Sequence, residues 1–173
     1  MADSALGLDE LPYLVGRAWA VGDDVRAEDI LPPEYAERDL TEAAMLFPHM
    51  RPAPALAPGD FLVAGLAFGS GSATHATARA LRGLGIASVI ARSFGDRFMH
   101  CALHVGLPAL QVEESAAIRT GDRLRVDIEG HKVVNLSSGD RYVIRNIYGH
   151  PLDVLRAGGM VPYLTAVRAK GRG

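Results

Sequence analysis

The chain has one cysteine and one tryptophan among 173 residues, and aromatic side chains make up only 6% of it. A single thiol, Cys101, excludes an internal disulfide and excludes a thiolate-held iron–sulfur centre built by this chain alone. Neither sign of charge is in excess: 18 basic and 20 acidic side chains leave a net charge of −2, mixed along the sequence. That balance gives no electrostatic case for nucleic acid or for an anionic membrane surface as a partner. No apolar run approaches the roughly 20 residues needed to span a bilayer. The first residues, MADSALGLDELPYL, are acidic where a signal peptide is basic. A reducing aqueous compartment is therefore expected, and the cytoplasm is the simplest one.

What is present is enough apolar residue, 49%, to fill one ordinary core, and a single domain over residues 1–173 is expected. The segment 17–21 (RAWAV) reads as a first strand and 40–45 as a short helix. The proline-rich stretch FPHMRPAPALAPGD reads as an extended surface connection. Residues 61–67 (FLVAGLA) and 86–91 (IASVIA) are short apolar runs of the kind buried on both faces of a sheet. Between them Ala73, Ala76, Thr77, Ala80, Leu81 and Leu84 recur at helical spacing, and Gly85 ends the pattern. Strand, helix, strand in that order predicts a βαβ unit with parallel strands. A second helix follows over 97–105, stopped by Gly106, and PALQV at 108–112 adds a third strand.

After Thr120 the pattern becomes alternating. GDRLRVDIEGHKVVNLSSGDRYVIRNI predicts three antiparallel strands, with turns at Glu129-Gly130 and Ser138-Gly139 and one face in water. The tail reads as two helical pieces broken at Gly158-Gly159. Together these predict an α/β core with an antiparallel β layer packed against it.

The chemistry concentrates in the turn Gly69-Ser70-Gly71-Ser72, between a predicted strand and a predicted helix. A phosphate-binding P-loop needs a lysine after its last glycine, and Ser72 and Ala73 stand there instead. The dinucleotide pattern needs a third glycine, and Thr74 occupies its place. What survives is a helix start whose unpaired amide N–H groups face outward. Ser72 then has two readings. It caps the helix, contributing about 1 kcal/mol, or it meets a substrate carboxylate.

Five stretches resemble one family in order and spacing over nearly the whole chain. They are VGDDVRAEDILPPEY, PGDFLVAGLAFGSGSATHATARAL, GIASVIARSFGDRFMHCALHVGLP, the GDRLRVDIEGHKVVNLSSGDRY meander and VLRAGGMVPYL. They resemble the small subunit of isopropylmalate dehydratase (isomerase), the counterpart of the swivelling domain of aconitase. The resemblance implies an α/β fold of the swivelling β/β/α type. It also implies a heterodimer or heterotetramer with a large subunit that carries a four-iron, four-sulfur cluster, no cofactor being bound by this chain itself. The substrate class it implies is a small hydroxy acid that loses and regains water beside a carboxylate.

In that family the turn reads Phe-Gly-Cys-Gly-Ser-Ser-Arg-Glu-His-Ala, and the first serine of the pair acts as base. Aligned without gaps that serine is Ser72, with Ser70 and Gly71 supplying the surrounding turn. The family arginine, which grips a carboxylate with two parallel bonds, is replaced by Thr74, and the glutamate by His75. His75 is a candidate for the missing positive charge or for a second base. Glu28 takes the place of an active-site aspartate, and Ala27 has lost a hydroxyl. Arg26 and Arg38 lie in the loop where family members choose substrates, and either is placed to recover a carboxylate grip. These departures predict a substrate other than standard isopropylmalate. The alternatives are a paralogue that has given up catalysis and docks to a large subunit as a structural or regulatory partner, or standard isopropylmalate chemistry with Arg38 or an arginine of the large subunit filling in.

Overall fold

The computed structural model describes residues 13–36, 47 and 55–171. The expected helix over 40–45, half of the proline-rich connection and Arg38 lie outside these residues. In chain order the elements are β1 (Leu14–Ala20), α1 (Ala27–Ile30), β2 (Phe61–Ala64), α2 (Thr74–Gly83), β3 (Ser88–Ala91) and α3 (Asp96–Val105). They continue with β4 (Ala109–Gln111), β5 (Arg123–Asp127), β6 (Lys132–Asn135), β7 (Arg141–Val143), α4 (His150–Arg156) and α5 (Met160–Lys170).

The two kinds of strand expected from the sequence belong to one seven-stranded sheet, in the order β4-β3-β2-β1-β5-β6-β7. β1 joins them. Its second half pairs parallel with β2, Ala18 opposite Phe61, while its first half pairs antiparallel with β5, Leu14 opposite Val126. The sheet curls so that both halves share a core. Phe61 and Val63 of β2 cluster with Ile90 and Leu110 of the parallel half and with Leu124, Val126, Val133 and Tyr142 of the meander. Leu62 and Ala64 face the other way, onto Ala78 and Leu81 of α2 and Phe98 and Ala102 of α3. The layers are thus antiparallel β, parallel β and α. Each large apolar side chain buried between them contributes about 1.5–3 kcal/mol.

β2 and β3 are buried at every position, which is why they read as unbroken apolar runs. β5 alternates exposed Arg123 and Arg125 with buried Leu124 and Val126, as a half-solvated strand should. β1 begins three residues earlier than the sequence pattern indicates and takes in Gly16, which serves as a spacer. A Cβ at Gly16 would meet the carbonyl oxygen of Gly59 and lie 3.2 Å from the Phe61 ring. Gly16→Ala is therefore expected to cost about 2–3 kcal/mol by prising β1 from the chain entering β2. Denaturant unfolding measures it; an unchanged midpoint contradicts the close approach.

α3 ends at Gly106, left-handed at φ +76, and its backbone abuts the Gly158-Gly159 break that separates α4 from α5. The helix terminators read from the sequence are thus also packing points. None of the helices among the described residues is long and apolar enough to cross a membrane.

Candidate functional site

Three loops meet at the carboxyl ends of β1, β2 and β3, the position at which open α/β sheets form their crevices. Backbone bonds lace them together. The N–H of Gly65 donates to Gly22, that of Asp24 to Leu66, that of Gly69 to Val25 and that of Ala27 to Ser70, all within 2.8 Å. The third loop joins through the N–H groups of Phe68 and Gly95, which donate to Ser93 and Phe68 at 3.0 and 2.9 Å. Asp23 and Ser93 add side-chain locks, accepting the N–H groups of Leu66 and Ala67 at 2.8 Å each. Under the loops Phe68, Phe94 and Phe98 form an aromatic floor, with Phe68 edge-on to Phe98 at 5.2 Å. Asp24 and Ala67, neither of them glycine, adopt φ near +55, so the loops carry backbone strain that the lacing sustains.

The Gly-Ser turn sits on this frame, and its anion partner comes from the chain itself. Glu28, on α1, accepts two hydrogen bonds on Oε1, from the Ser72 N–H and the Ser72 hydroxyl, each 2.6 Å. Gly71 is required between them: its φ is +108, and a Cβ there would strike the Glu28 carboxylate. The other oxygen, Oε2, is buried without a hydrogen bond, with Arg26 Nε 3.6 Å away. Guanidinium, carboxylate and hydroxyl stand in sequence: Arg26, Glu28, Ser72.

These bonds hold the Glu28 carboxyl at a pKa of about 2, below its ordinary 4.5, first through the Ser72 hydroxyl and then through the Ser72 amide. A folded-state value below the unfolded one stabilises fully above pH 4.5 and is lost as pH falls through about 2. Because the side chain keeps 22% of its exposure, the contribution is discounted to about 2 kcal/mol. Glu28→Gln is expected to be less stable than the wild type by that amount at neutral pH. The gap should narrow steadily between pH 4.5 and pH 2 in acid unfolding. A gap that stays constant across that window contradicts the assignment.

The remaining expected residues divide. Ser72 is exposed, Ser70 and Gly71 are partly so, and all three lie in the crevice with Glu28. Ser72 does not cap α2. That helix starts two residues later, with Ala73 at the N-cap position and no side-chain cap, because the hydroxyl is already committed to Glu28. Thr74 points inward. It is 4% exposed, and its Oγ1 lies 3.5 Å from the Sγ of Cys101 on α3, so its side chain packs between the two helices. His75 is exposed and edge-on to His104 at 5.8 Å, with no bond to Ser72 or Glu28. One lock escaped the sequence reading: buried Thr77 donates to the Ala27 carbonyl at 3.1 Å and fixes α2 against the loop that carries Glu28. Its place on the apolar stripe of α2 was the only signal available.

Fold and crevice together define an aconitase-type C-terminal domain, and the Aconitase C-terminal domain family matches residues 39–115. A 3-isopropylmalate dehydratase small subunit from Pyrobaculum neutrophilum is 42% identical over 155 residues, covering 86% of this chain and 94% of that protein. The isopropylmalate/citramalate isomerase small subunit of Methanocaldococcus jannaschii is 33% identical over 167 residues, covering 91% and 96%. A crystal structure of 3-isopropylmalate dehydratase from the same organism superposes with a TM-score of 0.84 at 28% identity, covering 93% of this chain and 99% of that one. The chain belongs to the family of 3-isopropylmalate dehydratase small subunits.

Proposed function

We propose that this chain works as the small subunit of a two-subunit hydro-lyase, with Ser72 moving the carbon-bound proton of a hydroxy acid related to isopropylmalate. The observation that carries this reading is the Ser72 hydroxyl: exposed, oriented by Glu28 at 2.6 Å, in a crevice of three interlocked loops. In the reaction a proton leaves carbon for the Ser72 oxygen, hydroxide leaves the neighbouring carbon, and a double bond forms between them. Adding water back in the opposite sense moves the hydroxyl. A four-iron, four-sulfur cluster on the large subunit would supply a Lewis acid for the departing hydroxyl. Among the described residues of this chain, no three His, Cys, Asp or Glu side chains are grouped to hold a metal.

Glu28 orients the serine and does not ionise it. An alkyl hydroxyl is about as weak an acid as water. A carboxylate held at about 2 is far too weak a base to take its proton. The bond from the Ser72 hydroxyl instead fixes where the oxygen sits; before it takes a proton from carbon, that oxygen must give up its own to solvent and act as the alkoxide.

The inward turn of Thr74 supports a substrate held differently from standard isopropylmalate, since position 74 offers no grip. A relative whose name includes citramalate supports testing that acid beside isopropylmalate. The hydroxyl engaged by its own chain's carboxylate also favours a second reading, a docking partner without catalysis. Co-expression with a large subunit under anaerobic conditions separates the two. Formation of an unsaturated acid from isopropylmalate or citramalate, followed by ultraviolet absorbance, supports the enzyme; an intact complex that forms none supports the docking partner.

A further inference from the structure

We infer that Arg26 is the residue that grips a substrate carboxylate beside Ser72, an inference that rests on the hydro-lyase reading above. Its backbone is held from both sides. It forms a parallel bridge with Ser70, its N–H donates to Asp29 Oδ2 at 2.9 Å, and the next N–H, of Ala27, donates to the Ser70 carbonyl at 2.7 Å. The extended conformation, φ −79 and ψ 157, sends the side chain out of the loop just before α1 begins.

The guanidinium is fixed at its root and open at its tip. Arg26 Nε stands 3.6 Å from Glu28 Oε2, close for charge and too long for a hydrogen bond, and the side chain is 62% exposed. Its Nη groups have no protein partner among the described residues. An exposed ion pair of this kind adds little to stability, so folding alone does not account for the placement.

Electrostatics supplies the account. Glu28 alone would repel any carboxylate approaching Ser72, and Arg26 offsets that charge at the point of approach. The unbonded edge of the guanidinium then presents two parallel donors, the geometry that fits a carboxylate. Two other arginines among the described residues do not approach the Glu28–Ser72 pair. Arg79 Nη2 donates to the Ala36 carbonyl at 3.4 Å, and no hydrogen bond among the described residues joins Arg92, just past the end of β3, to Glu28 or Ser72.

The test is calorimetric titration of the assembled complex with isopropylmalate and with each of its two monoamides. Wild type is expected to prefer the diacid to one monoamide by about 100-fold, and Arg26→Ala to cut that preference to about 3-fold. Arg26→Lys, which keeps the charge without the fork, should fall between, which also guards against a folding defect in the alanine variant. Arg125→Ala, on the outer face of the meander, serves as the control and should match wild type. If Arg26→Ala and Arg26→Lys both keep the full preference, Arg26 does not hold the carboxylate, and the hydro-lyase reading stands without it. A wild-type complex that binds neither the diacid nor its monoamides, and binds no citramalate either, overturns both.

Discussion

Ser72→Ala, in the assembled two-subunit enzyme, should lower kcat by about a thousand- to ten-thousand-fold with little change in KM. The substitution removes the oxygen proposed to take the substrate's proton, and little else. Glu28 keeps its bond from the amide at position 72, which is backbone, and the loops around the turn keep their own backbone lacing. The stability cost should be only about 1–2 kcal/mol, for one charge-assisted hydrogen bond. Steady-state kinetics on a complex shown intact by gel filtration makes the measurement. Retained turnover would move the proton transfer to another group, with His75 the first to examine.

Gly71→Ala is expected to have the second largest effect, although it removes no chemical group. The backbone at φ +108 is hostile to a side chain, and the new methyl would strike the Glu28 carboxylate. Either the turn or Glu28 must give way, and both outcomes carry the Ser72 hydroxyl off its position. A displacement of about 1 Å at a reacting atom costs on the order of 100-fold in rate. The same strain should cost about 2 kcal/mol of stability. Kinetics and thermal unfolding on the same preparation make the check. Full activity in Gly71→Ala would mean that the Glu28–Ser72 contact is not needed for turnover.

The two halves of the site were unequally legible in the sequence. Gly71 and Ser72 announce a turn before a helix, and Gly85, Gly106 and Gly158-Gly159 announce the ends of α2, α3 and α4. The parallel strands were readable because they are buried on both faces, and the meander because it alternates. The contact that defines the site was hidden, since Glu28 and Ser72 lie 44 residues apart and no local pattern joins them. That same contact explains why Ser72 does not cap α2: a hydroxyl already bonded to Glu28 is not available to the helix.

Thr74 is a different case, because its signal was present. With Thr77, Ala78 and Leu81 it occupies the buried face of α2 at the spacing of successive helical turns. Thr74 on that stripe packs toward Cys101 of α3. Family alignment pointed to the position as a lost arginine, while helical periodicity places it in the core. Arg26 was visible only as one of two arginines in a variable loop, and its closeness to Glu28 needed the fold.

The account requires that catalysis arise only from two chains together. The direct measurement is formation of an unsaturated acid from isopropylmalate or citramalate by this chain alone, by a cluster-loaded large subunit alone, and by the anaerobic mixture. The prediction is product from the mixture and from neither part. Product from this chain by itself, or a stable mixture that yields none, would contradict it.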